Sequence, residues 1–197
     1  MINFLPFVGS QYTARQLFNK RIMVLGDSHY CANPQDAVPT LTQDIINYYL
    51  NPYSENEGWM QTYRKFERSL VNHETSPDES ISIWNSLLFY NFLQVPLSGP
   101  RVAGTSADYH NAAPAFFEVL DKYSPEVIIV WSKRLWDNLP NQRWSPAPDI
   151  IYDNYHISNG FYSLSNGSQA KAFYIYHPST GYSWDWWYQA IKRAITE

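Results

Sequence analysis

Arg21-Ile-Met-Val-Leu25, closed by Gly26 and followed at once by Asp27-Ser28-His29-Tyr30, is the stretch that decides the fold of this chain. A short apolar run ending on glycine has the pattern of a strand buried on both faces, whose C-terminal end delivers the polar residues behind it. An acid, a hydroxyl, an imidazole and a phenol in succession are dense chemistry for a connection. A plain turn would use the same residues differently: Gly26 for special backbone geometry, Asp27 or Ser28 as a cap, His29 in solvent. Strand-end loops of α/β proteins are preferred ligand sites, which favours the functional reading.

Two later stretches repeat the pattern. Pro125-Glu-Val-Ile-Ile-Val-Trp131 has the β-branched run of a central parallel strand, with Ser132 placed to cap a helix through Leu135 and Leu139. Ala172-Phe-Tyr-Ile-Tyr176 predicts another strand, which ends in His177, Pro178 and Ser179. Helical spacing predicts a helix capped by Thr42 and running through Ile45, Ile46 and Tyr49, then one through Met60, Tyr63, Phe66 and Leu70. A third has Pro114 near its start and Ala113, Phe116, Phe117 and Leu120 on one face, and a last carries Trp184, Trp187, Tyr188, Ile191 and Ile195 inward. Periodicity leaves Ile81 to Leu93 open; a helical turn entering a strand near Leu87 to Asn91 fits it best. Asn72 to Ser80, Val95 to Gly104 and Asn141 to Pro148 read as loops.

Alternating strands and helices predict one α/β domain over residues 1–197, a three-layer αβα sandwich around a mainly parallel sheet. Ligands of such sheets bind outside the carboxyl ends of the strands, so Asp27 and His177 are expected to face one crevice.

Composition narrows the classes. Of 197 residues, 45% are hydrophobic and 17% aromatic, enough for a full core and too much for a disordered chain. Cys31 is the sole cysteine, so neither an internal disulfide nor a cysteine-built zinc or iron–sulfur centre can form within the chain. Met1 to Gln16 lacks the pattern of a secretory signal, and no apolar stretch is long enough to cross a bilayer, so a cytoplasmic protein without a membrane partner is expected. A net charge of −4 argues against holding duplex DNA by bulk electrostatics.

Taken in order, Val24-Leu-Gly-Asp-Ser-His-Tyr30, Phe89-Tyr-Asn-Phe92, Pro125 to Val130 with its following helix, and Tyr176-His-Pro-Ser179 resemble the uracil-DNA glycosylase superfamily over most of the chain from Arg21 onward. The resemblance implies that fold, an activity on N-glycosidic bonds of damaged or deaminated bases in nucleic acid or a related nucleoside-type substrate, and no metal or cofactor. It implies that Asp27 polarises water or stabilises a cationic sugar and that His177 stabilises the departing base. By the same resemblance Gly26, Ser28, His29 and Tyr30 shape the pocket, Asn91 reads the base edge with Phe92 as an aromatic face, and Ser179 contacts a phosphate. Breaking a glycosidic bond develops positive charge on the sugar and negative charge on the base, so a carboxylate and a hydrogen-bond donor on opposite sides suit it. The chain departs from the family pattern at His29, where a small residue or proline is usual, and at Ser28, where a carboxylate is commonest.

Two other readings use the same residues. Gly26-Asp-Ser28 is similar to the opening block of SGNH-type serine esterases, with Ser28 as nucleophile and Asp153-Asn-Tyr-His156 in the spacing of the partner pair. A catalytically inactive nucleic-acid-binding module is the third, with Lys133, Arg134, Arg143 and Lys171 as a phosphate-binding rim.

Overall fold

The computed structural model describes residues 2–99, 102–179 and 181–197. Its centre is three strands, β2 (Ile22–Gly26), β3 (Leu87–Asn91) and β4 (Val127–Trp131), in which every residue is buried. They form because continuous apolar runs satisfy both faces of a covered sheet, the pattern read from residues 21–26. With β7 (Gln169–Ile175) they make a parallel set in the order β3-β2-β4-β7. The strand expected near Leu87 to Asn91 is β3.

The whole sheet is mixed rather than mainly parallel. A short strand β1 (Phe7–Val8) lies antiparallel on β3, and the hairpin of β5 (Trp144–Tyr152) and β6 (Tyr155–Ser163) adds two antiparallel strands beside β7. The segment read as the loop Asn141 to Pro148 is therefore partly strand. Pro146 and Pro148 are tolerated because β5 is the sheet's edge and its register shifts between Ala147 and Ile150. Asp153 and Asn154 turn the hairpin with φ of 48° and 62°, the positive values that two-residue hairpin loops require.

Helices cover both faces. On one, α1 (Leu41–Leu50), α2 (Met60–Val71), α3 (Pro77–Asn85) and α6 (Trp184–Thr196) bury Ile46, Phe66, Trp84 and Trp187 against Val24, Phe89 and Ile129. On the other, α4 (Ser106–Tyr123) and α5 (Lys133–Asp137) bury Tyr109, Phe116 and Leu135 against Leu25, Tyr90 and Val130. Among the described residues no helix is long and apolar enough to cross a membrane.

Helix starts differ from expectation where capping outweighs periodicity. Thr105 and Asp108 form a reciprocal capping box that starts α4 early, so Pro114 falls inside the helix. Ser76 and Glu79 do the same for α3 with Pro77 in its first turn, which shortens the loop read at Asn72 to Ser80. Thr42 does not cap α1; it is a fully buried residue of that helix. Helix α5 stops at Asp137, short of Leu139.

Candidate functional site

The parallel strands align their carboxyl ends in one row, Asn91 beside Gly26 and Trp131 beside Ile175. From Gly26 the chain runs alongside the segment leaving β3. Gly26 and Asp27 carbonyls accept from the Phe92 and Leu93 amides at 2.9 Å, and the His29 carbonyl accepts from the Leu97 amide at 2.8 Å. A Cβ at Gly26 would stand 2.2 Å from the Asn91 side-chain oxygen, so any larger residue there would displace the Asn91 amide. Those two residues interlock across neighbouring strands.

Asp27 is the electrostatic centre of this edge. It is 7% exposed, and both carboxylate oxygens are engaged. The Tyr109 hydroxyl of α4 donates to Oδ1 at 2.9 Å, while Arg134 of α5 donates to Oδ2 from Nε at 2.8 Å and from Nη2. A buried carboxylate needs such compensation, and a two-pronged guanidinium contact supplies it with a fixed orientation. The pairing pushes the Tyr109 hydroxyl pKa up, through burial first and then the neighbouring Asp27 charge.

Ser132 holds Arg134 in place. It precedes α5 with φ 90° and ψ 146°, a conformation costly for a residue with a side chain, and its hydroxyl accepts from the Leu135 amide at 3.3 Å. Its own amide donates to the Ile175 carbonyl of β7 at 2.9 Å. The cap expected of Ser132 is present, and it ties α5 to the strand that carries His177.

His177 lies on the exposed rim, with its ring edge-on to Trp131 at 5.8 Å between centroids. Protein atoms around the imidazole lower its pKa, the Arg134 guanidinium lowers it further, and Asp27 opposes both. The ring is therefore a neutral hydrogen-bonding group at neutral pH. It also feels Asp27 and Arg134 electrostatically, although β4 separates its strand from β2, a lateral span of about 10 Å at two strand spacings. The acid and the imidazole expected to face one crevice lie at the same edge, with Arg134 acting on both.

The other expected site residues divide. Tyr30 is 47% exposed beyond the end of β2, and Ser179 is exposed, its amide donating to the His177 carbonyl. His29 is not in solvent: it is 3% exposed, edge-on to Phe4, with Nε2 2.8 Å from the Thr42 hydroxyl. Burial lowers its pKa to about 4, so it is uncharged at neutral pH. The Asn91 amide nitrogen lies 3.1 Å from the same ring, while its side-chain oxygen sits over Gly26. Phe92 is fully buried between Tyr109 and Phe116 and belongs to the core, not to the crevice.

Ser28 Oγ is buried with no hydrogen-bond partner, so no imidazole activates it. His156 instead pairs with Asp149 at 3.6 Å, and Asp153 accepts from the Trp186 indole at 3.0 Å. The esterase constellation is not assembled. The four basic residues expected to share a rim are split as well. Lys133 and Arg134 sit at the carboxyl ends of the strands; Lys171 pairs with Val127 at the start of β4, and Arg143 is bound to Asp121 at 2.9 Å just before β5. Among the described residues no group of three His, Cys, Asp or Glu side chains is placed to hold a metal ion.

Three site residues escaped the sequence reading or were undervalued in it: Tyr109, Arg134 and Lys65, whose Nζ donates to the Ser179 carbonyl at 2.8 Å. Trp131 Nε1, like Ser28 Oγ, is a buried polar atom without a partner beside the row of strand ends. No family model matches the chain, and no curated protein matches it in sequence.

Proposed function

We propose that this chain is a glycosylase-like hydrolase of the uracil-DNA glycosylase fold type, cleaving the N-glycosidic bond of a nucleoside-type substrate, free or within nucleic acid, in the cytoplasm. The observation that carries this reading is that Asp27 and His177, which follow β2 and β7, lie at the same edge of the sheet, with Arg134 of α5 bound to Asp27. Cleavage leaves positive charge on the sugar and negative charge on the base. Asp27, fixed by Tyr109 and Arg134, faces the cationic side as an electrostatic stabiliser; its occupied oxygens suit this better than proton abstraction. His177, a neutral donor on the rim, serves the anionic side. Tyr30 offers an aromatic face, and water is the nucleophile, so the proposed chemistry calls for no metal or cofactor.

A second reading is a binding module on the same framework, favoured by the Asn91 amide nitrogen being held at His29 and by Asp27's engaged oxygens. A panel of labelled oligonucleotides carrying uracil, hypoxanthine, xanthine or mismatches, scored for abasic sites at low salt, separates the two. Base release from at least one substrate is expected. Silence across the panel, with retained binding, assigns the crevice to recognition without hydrolysis.

A further inference from the structure

Two recesses adjoin on the α4 and α5 side of the sheet, around the segment from Asp137 to Gln142 that leads from α5 towards β5. One, of about 240 Å³, is walled by Trp136, Leu139, Trp144 and Tyr162. The other, of about 340 Å³, lies between that segment and the first turns of α4, lined by Ser106, His110, Asn138 and Gln142. They share Asp137, Leu139 and Asn141 and so form one groove. Its aromatic half is firmly held. The buried Tyr162 ring donates its hydroxyl to the Pro140 carbonyl at 2.8 Å, and Trp144 packs on it with centroids 4.9 Å apart. Trp136 and Trp144 are half-buried and meet edge to face, 5.4 Å and 83° apart. The Asn138 amide donates to the Arg134 carbonyl at 2.8 Å, and the Trp144 backbone amide to the Asn141 carbonyl at 3.3 Å. Among the described residues these bonds leave both indole N–H groups and the side-chain amides of Asn141 and Gln142 without a protein partner. Charge is cancelled: Asp137 is the one Asp, Glu, Lys or Arg lining the groove, and Lys133 binds both its oxygens at 2.7 Å.

We propose that this groove binds a neutral saccharide, one pyranose ring on the corner of Trp136 and Trp144 and the next along the amide-lined half. A ligand here has to offer an apolar face to an indole and hydroxyls to the unpaired amides and N–H groups, without net charge. A pyranose does both: the C–H bonds of one ring face pack on an aromatic surface, and its hydroxyls donate and accept, matching amides that carry one group of each kind. A flat heteroaromatic ring is disfavoured by the angle, because two indoles in contact at 83° leave no parallel-walled slot between them. A phosphate or carboxylate would lie beside Asp137 with no free cation to offset its loss of water. Recesses of about 240 and 340 Å³ stand at the low end of the roughly 300–1,000 Å³ of small-molecule sites, so each takes one ring. The site is separate from the strand-end crevice. Tyr109 lines the larger recess but turns its hydroxyl to Asp27, so the groove backs on to that carboxylate without including it.

Proton–nitrogen correlation NMR of the full chain, read on the indole signals, tests the site with maltose, cellobiose, lactose and diacetylchitobiose as probes and with uridine and glucuronate as controls. At least one disaccharide is expected to shift the signals of Trp136 and Trp144, assigned from Trp136→Phe and Trp144→Phe, and to saturate at millimolar concentration or below. Glucuronate should bind at least about tenfold more weakly, since its charge finds no partner. Asn141→Ala and Gln142→Ala, both at exposed positions of the segment before β5, should each weaken the disaccharide by about threefold to tenfold, the loss of one hydrogen bond. Silence of both indoles across the four disaccharides, or an affinity unmoved in both alanine variants, overturns the site. Uridine or glucuronate shifting these indoles at lower concentration than every disaccharide overturns the neutral saccharide as its ligand.

Discussion

Asp27 and Glu67 are both buried carboxylates, and they are satisfied in opposite ways. Glu67 on α2 is fully buried and accepts only from neutral donors: the Tyr49 hydroxyl at 2.9 Å, the Ser80 hydroxyl at 2.6 Å, the Trp84 indole at 3.0 Å and the Thr75 hydroxyl. Its acceptor capacity is spent on α1, α3 and the loop between α2 and α3, so it welds one helical layer together. Asp27 is compensated by a cation that is itself 37% exposed, and the pair sits at the carboxyl ends of the strands with Tyr109 beside it. The contrast separates a structural knot from the proposed site. A sealed network of neutral donors offers nothing to a ligand, whereas an ion pair with one solvated side holds a charge in place and still presents a donor.

The sharpest way to break this comparison is Glu67→Leu. It orphans four donors in a dry layer and should cost about 4 kcal/mol in urea unfolding, while the folded fraction keeps its ligand binding. A cost below about 1 kcal/mol would remove the knot. Asp27→Asn should act the other way round. On the proposed glycosylase reading, base release should fall by about 10²- to 10³-fold, as when a preorganised electrostatic group is lost, while stability drops by no more than about 2 kcal/mol because Arg134 can turn to water. A variant that unfolds at room temperature, or releases base at the normal rate, would make Asp27 a second knot.

Acid should weaken the fold through His29. The unfolded chain binds a proton at His29 near pH 6.5, whereas the native site resists until about pH 4. Stability contributed by the neutral ring is therefore complete above pH 6.5 and is lost on the way down to pH 4, by up to about 3 kcal/mol. The slope of unfolding free energy against pH over that window checks it, and His29→Gln should flatten the curve; an unchanged slope would place the titrating group elsewhere. The smallest effect sharpens the knot itself: Ser80→Ala removes one of four donors and should cost about 1 kcal/mol by thermal unfolding. A change as large as that of Glu67→Leu would show that the network fails as a unit.

Strands β2 and β4 were legible because burial on both faces demands unbroken apolar runs, whereas β3 lies in a stretch whose periodicity fits helix and strand alike. The hairpin of β5 and β6 was not, because an exposed edge strand carrying two prolines has the composition of a loop. Asp27 and His177 could be named from their place after strands. Phe92 was misread, since a strand-end aromatic points into the core or the crevice according to which face of the sheet it follows, and it follows Tyr90 onto the α4 side.

By itself the sequence determined which segments must be covered on both sides, and hence where the chemical residues emerge; periodicity and turn chemistry act over a few neighbouring positions. Only the tertiary structure decided what those residues touch. Asp27 meets Tyr109 and Arg134 across 82 and 107 residues, and Lys65 meets Ser179 across 114. Such pairings arise from the packing of two helical layers against one sheet, and no local pattern in the chain carries them.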